Sequence, residues 1–176
     1  APPAMHAATV TLAGTGGGTV TSSPTGITCP GTCSASYVDG QVVTLTASPD
    51  GQSLFTGWGG ACTGSGACTV TMDQARSVTA TFTVQSHGIT VTRLGNGAGT
   101  VTSSPGGIAC GTDCSEAYAA GTVVTLTAAA STGSTFTGWS GGGGTGTGSC
   151  VVSVTAALAI PPTFTPHQYT LTPNRT

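Results

Sequence analysis

Gly18-Thr19-Val20-Thr21-Ser22-Ser23-Pro24 returns without a change as Gly99-Thr100-Val101-Thr102-Ser103-Ser104-Pro105, 81 positions later. A fixed internal period decides the architecture before any single motif does. Working outward, the same offset carries Cys29 and Cys33 onto Cys110 and Cys114, and Tyr37 onto Tyr118. It also carries Val42-Val43-Thr44-Leu45-Thr46-Ala47 onto Val123-Val124-Thr125-Leu126-Thr127-Ala128, and Phe55-Thr56-Gly57-Trp58 onto Phe136-Thr137-Gly138-Trp139. After one inserted residue, Cys68 meets Cys150 and Phe82 meets Phe164. The chain is two copies of one unit.

Each copy reads as all-β. Val10 and Leu12, Val43 and Leu45, Val70 and Met72, and Val78, Ala80 and Phe82 alternate largely with Thr. Period-2 alternation marks half-buried strands, and the branched Thr side chain suits the wet face of a pleated sheet. Gly- and Pro-rich clusters between these runs supply the turns. No stretch sustains a helical period; Met72 to Arg76 is short enough to be a turn. Strands at this spacing predict two tandem small antiparallel all-β units, each a sheet or a sandwich. The expected division is 1–7 as an N-terminal extension, 8–85 and 86–166 as the units, and 167–176 as an orphan strand.

GTVTSSP, the C-x3-C pair, VVTLTA, FTGW and the closing run Ser77–Phe82 together resemble the divergent InlB B-repeat type, a bacterial extracellular repeat. The resemblance covers nearly the whole chain. It implies a compact β-grasp-like unit, tandem occurrence in secreted or surface proteins, and no catalytic residues. The second copy departs from the pattern. Gly143 stands where Cys62 has its counterpart, and Ala156–Ile160 replaces Asp73–Ser77.

Seven cysteines in 176 residues read as a disulfide framework from an oxidising compartment. Closeness in sequence predicts Cys29–Cys33, Cys62–Cys68 and Cys110–Cys114, each closing a small loop worth only about 2 kcal/mol in the chain-entropy account. C-x3-C is a poor zinc spacing, which favours C-x2-C with a second pair. Cys150 is left over, as a free thiol or an intermolecular partner. Secretion is the expectation, with Ala1-Pro2-Pro3-Ala4 as a mature terminus.

Composition excludes other classes. Three Arg, no Lys and a net charge of −2 cannot neutralise a phosphate backbone, so no nucleic-acid partner is expected. No apolar run approaches the roughly 18 residues of a membrane span. A charged fraction of 5% leaves little repulsion between copies, so self-association is favoured.

The opening strand is written three times: His6-Ala7-Ala8-Thr9-Val10-Thr11, His87-Gly88-Ile89-Thr90-Val91-Thr92 and His167-Gln168-Tyr169-Thr170-Leu171-Thr172. Two bodies need two such strands. Either the last copy is surplus or, if each opening strand completes the body before it, the first is. An unpaired strand templates pairing with another molecule, and a head-to-tail contact of that kind generates a filament. The chain continuing into a third repeat and the strand pairing within its own chain are the alternatives. The expected donor is His167, Gln168, Tyr169, Thr170, Leu171 and Thr172; Ala8, Thr9, Val10 and Thr11 are the reciprocal candidate.

No catalytic or metal constellation emerges, and no cofactor is expected. The three His recur at equivalent repeat positions, which points to strand starts. Asp39 and Asp50 sit in turns, and Asp113 with Glu116 offers too few oxygens for calcium. Trp58 and Trp139, with Phe82 and Phe164, read as core anchors, with a sugar-stacking platform as the alternative for the Trp pair. Asn174-Arg175-Thr176 is a glycosylation sequon on a Ser/Thr-rich surface, making glycans a second candidate partner. The functional expectation is a secreted structural subunit of an extracellular filament assembled by strand exchange, with a stalk or carbohydrate-binding module of a larger adhesin or hydrolase as the rival.

Overall fold

The computed structural model describes residues 2–169. The chain divides between Gln85 and Ser86 into two units. Unit 1 comprises β1 (Met5–Gly14), β2 (Gly18–Ser23), β3 (Thr28–Cys29), β4 (Ser34–Val38), β5 (Val42–Pro49), β6 (Ser53–Gly60), β7 (Cys68–Thr71) and β8 (Arg76–Val84). They form two four-stranded sheets, ordered β4-β1-β8-β6 and β3-β2-β5-β7. Val10, Val20, Leu45, Val78 and Phe82 are buried in one shared core, while Thr19, Thr21, Thr46 and Thr69 face water. The alternation read from sequence is thus the alternation of faces.

Unit 2 comprises β9 (Ser86–Thr90), β10 (Gly99–Ser104), β11 (Ala109–Cys110), β12 (Ser115–Ala119), β13 (Val123–Ala130), β14 (Ser134–Trp139), β15 (Cys150–Ser153), β16 (Leu158–Ala159) and β17 (Pro162–Pro166). Its β11-β10-β13-β15 sheet repeats the second sheet of unit 1. The counterpart of the first is broken into β12-β9-β16 and β14-β17. Pro161 and Pro162 fall where β8 runs unbroken in unit 1, and a residue without an N–H cannot sustain the ladder.

One pairing departs from the antiparallel rule in each unit. β1 runs parallel to β8, from Ala8 opposite Arg76 to Gly14 opposite Phe82. β9 runs parallel to β16, and the isolated bridge Leu94–Thr163 continues the register. The opening and closing strands of a unit therefore lie side by side, in mid-sheet in unit 1. The expected N-terminal extension is part of this arrangement: Met5, His6 and Ala7 pair with Val38, Tyr37 and Ser36.

Two devices recur in both units. β6 carries a bulge between Phe55 and Gly57, and β14 one between Phe136 and Gly138. Gly57 and Gly138 take φ of 152° and 141°, which a side chain would strain. The extra residue turns Phe55 and Trp58, three apart, to the same side, where their ring centroids lie 4.9 Å apart; Phe136 and Trp139 lie 5.1 Å apart. The second device explains the repeated Ser-Ser-Pro. Ser22 Oγ accepts from Ile27 N at 2.9 Å and from the Tyr37 hydroxyl at 2.8 Å, tying β4 of one sheet to the β2–β3 turn of the other. Ser103, Ile108 and Tyr118 repeat this with the same distances.

Candidate functional site

The opening strand of each unit is filled from within. β1 lies between β4 and β8, so Ala8 meets both Ala35 and Arg76, and Thr9 meets both Ser34 and Ser77. Val10 N donates to Cys33 O at 2.8 Å. With neighbours on both sides, Ala8, Thr9 and Val10 offer no open edge, and Thr11 is already paired with Thr79, which argues against this stretch as a reciprocal exchange strand. β9 is likewise held between β12 and β16.

At the other end, His167 belongs to unit 2 rather than to an orphan strand. Its N–H donates to Gly133 O at 2.7 Å, and its Nε2 lies 2.9 Å from Thr135 Oγ1. Gln85 leaves unit 1 through the same bond, to Gln52 O at 2.8 Å. Gln168 and Tyr169 follow in no strand, with the Tyr169 side chain 81% exposed. Thr170, Leu171, Thr172 and Asn174 lie outside the described residues.

The cysteines form Cys29–Cys33, Cys62–Cys68 and Cys110–Cys114. Cys150 is a buried free thiol whose pKa burial pushes above its ordinary 9.0. The position facing it is Gly144, one residue later than uniform counting places it. A Cβ on Gly144 would lie 2.7 Å from Cys150 Sγ, whereas one on Gly143 would meet Val152 Cγ1 at 3.4 Å. The inserted residue of the second copy therefore precedes the cysteine position. Pairing also sets Leu158 opposite Ile89 as Arg76 is set opposite Ala8, so the altered segment begins at Thr155 and not at Ala156.

Trp58 and Trp139 are buried, at 7% and 6% exposure, and cannot present a stacking face. Their Nε1–H groups donate to Gly66 O at 2.8 Å and Gly148 O at 2.7 Å. Phe82 and Phe164 lie deeper, packed on Phe55 and Phe136. A cavity of about 340 Å³ opens over Leu45, Ala47, Phe55 and Trp58, with no titratable group in its wall.

The acids are engaged locally. Asp39 meets His6 Nε2 at 2.9 Å, and Asp73 meets Arg76 at 2.6 Å. Asp50 accepts from Gln52 N, Asp113 from Ser115 N, and Glu116 from Ala117 N. His87 is the strand partner of Tyr118. Among the described residues, no three His, Cys, Asp or Glu side chains converge on a metal-sized space. Among the described residues, no helix is long and apolar enough to cross a membrane either. What the surface does offer is sheet edges. Arg76, which composition alone did not single out, also donates from Nε to Thr71 O at the end of edge strand β7.

The divergent InlB B-repeat domain is matched twice, at residues 8–86 and 89–167. No curated protein matches the chain. Among solved structures, the chain is similar in fold to the TIE protein of Bacillus anthracis, with a TM-score of 0.53 and 7% identity over 92% of this chain and 34% of that one. It thus spans about a third of that chain's length. It is also matched, at a TM-score of 0.42 and 8% identity over 93% of this chain and 97% of that one, to the major pilin protein T-13 of Streptococcus pyogenes. A third match is GBS52, the minor pilin of Streptococcus agalactiae, at a TM-score of 0.32 and 6% identity over 97% and 100%. Two consecutive family matches, each falling on one unit, establish that this chain belongs to the divergent InlB B-repeat domain family.

Proposed function

We propose that this chain is a non-catalytic structural subunit of an extracellular filament, in which the C-terminal segment of one copy adds as a strand to a sheet edge of the next. The observation that carries the reading is the occupancy of the opening-strand position. β1 and β9 fill it in both units, with their own neighbours on either side. Neither of these two units keeps that position open for the third copy of the strand. Its first residue, His167, is anchored to unit 2, so the donor is the segment Gln168–Thr172. Main-chain bonds would supply affinity and alternating side chains the register. Three bridges in small lobes suit an oxidising, extracellular setting. Few charges oppose association.

The test compares the full chain with one lacking residues 168–176, by sedimentation and electron microscopy. The full chain is expected to form linear assemblies, and the truncated chain to stay folded and monomeric. A full chain that remains monomeric at high concentration refutes the reading. One observation favours a second reading, a stalk of further tandem units: His167 leaves unit 2 through the bond by which Gln85 leaves unit 1 toward β9. Under that reading both proteins sediment as monomers.

A further inference from the structure

We infer that the edge receiving the donor is β15 (Cys150–Ser153) of unit 2, and that its occupant is the segment Gln168–Thr172 of a second copy. The inference rests on the strand-addition reading above and names its missing partner surface.

Sheet edges in soluble proteins are blunted by shortness, bulges, cover or charge. β3 and β11 are two residues long, and a disulfide closes the turn beside each. β6 and β14 carry bulges, and at their ends Trp58 N and Trp139 N are bonded to Gly64 O and Gly146 O of a covering loop. β4 ends on the His6–Asp39 pair, and β12 contains Glu116. In unit 1, β7 is capped by Arg76, whose guanidinium binds Thr71 O and Asp73 together.

β15 is the counterpart of β7, and the cap is gone. Leu158 stands at the Arg76 position and Thr155 at that of Asp73. On the outward face Val151 replaces Thr69 and is 60% exposed beside Val123, at 58%. From Ala117 to Asn174 the chain contains no Asp, Glu, Lys or Arg, so no charge rims this edge from its own element or from those around it in sequence. The donor lies inside the same uncharged run, and its apolar Tyr169 and Leu171 alternate with Gln168, Thr170 and Thr172. Its five residues match the four of β15 in length, and neither side must strip a charge of water to pair.

The test uses the full chain carrying Val151→Lys, with Thr69→Lys at the matching place in unit 1 as control. Both sites are exposed, so folding, read by circular dichroism and burial of the Cys150 thiol, is expected to hold. Val151→Lys should weaken association roughly a hundredfold by forcing an unpaired charge into the contact, and Thr69→Lys should leave it unchanged. If Val151→Lys assembles normally while removal of residues 168–176 abolishes assembly, strand donation stands and β15 is the wrong acceptor. If Val151→Lys blocks assembly but the truncation does not, two β15 edges pair with each other and the named occupant is wrong. If the unaltered chain does not assemble, the function proposed above fails first, and the acceptor with it.

Discussion

Gly144→Cys should restore to unit 2 the bridge that unit 1 keeps as Cys62–Cys68. Gly144 is buried, its φ lies outside the left-handed region, and a Cβ there would sit 2.7 Å from Cys150 Sγ. The loop closed would have the same six-residue separation as Cys62–Cys68. In the chain-entropy account a loop that short contributes about 2 kcal/mol. Against it, the new Cβ meets Ile160 Cγ2 at 3.0 Å and Trp139 Cβ at 3.1 Å, and easing that crowding costs about 1 kcal/mol. The balance is about 1 kcal/mol, a rise of roughly 4–8 °C in the melting of unit 2. Thermal unfolding with and without reductant measures it, and thiol titration should fall from one free thiol to none. Gly143→Cys is the control: its φ of +90° and its Val152 neighbour predict a destabilised protein with two free thiols. If Gly143→Cys forms the bridge and Gly144→Cys does not, the placement of the inserted residue is wrong.

Ser22→Ala leaves the Tyr37 hydroxyl and Ile27 N short of their shared acceptor and should destabilise unit 1 by about 1–3 kcal/mol, more than Tyr37→Phe, which deletes one bond; denaturant titration of the pair checks the order. Because burial raises the Cys150 pKa, its contribution is complete below pH 9.0 and is lost as pH rises through the raised value, so stability of the native chain should fall above pH 9.0 more steeply than that of Cys150→Ala. Oligosaccharides should leave the emission of Trp58 and Trp139 unchanged, since both rings are buried; quenching or a blue shift would reinstate the sugar-platform reading. Thr69→Val with Arg76→Leu gives unit 1 the edge of unit 2, and sedimentation should then show added association; an unchanged profile would mean the Arg76 cap protects nothing.

Much of the fold was legible because the chain is nearly all strand and states itself twice. Val20, Val43 and Leu45 fall inward and their Thr neighbours outward, as a period of two requires. The parallel β1–β8 ladder was not legible, because nothing local in either strand records which strand lies beside it across some seventy positions. The threefold writing of the opening strand was legible, but which body each copy completes was not; only the register of Ala8 against Arg76, and of Ile89 against Leu158, decides that the first two copies complete the bodies they open. Arg76 stayed hidden for a similar reason. Its significance lies in Thr71 O, on a different strand, and a lone Arg in a turn carries no pattern.

The duplication offers an internal comparison that most folds lack, since both copies began with the same constraints. The Ser–Tyr ties, the bulges and the Trp bonds persist in both units at nearly the same distances. Several devices of unit 1 are missing from unit 2: the staple is reduced to Cys150 and Gly144, the Arg76–Asp73 cap is replaced by Leu158 and Thr155, Thr69 is replaced by Val151, Ala120 stands at the position of Asp39, and the counterpart of β8 is broken at Pro161 and Pro162. Losing a bridge, a cap and a continuous strand each lowers the stability of an isolated lobe, and an exposed Val in place of Thr adds an unfavourable apolar surface to water. The missing cap and the exposed Val151 both fall on the β15 edge, as expected where another strand supplies the missing bonds and covers the apolar face, because an edge that is paired no longer needs the devices that keep it alone.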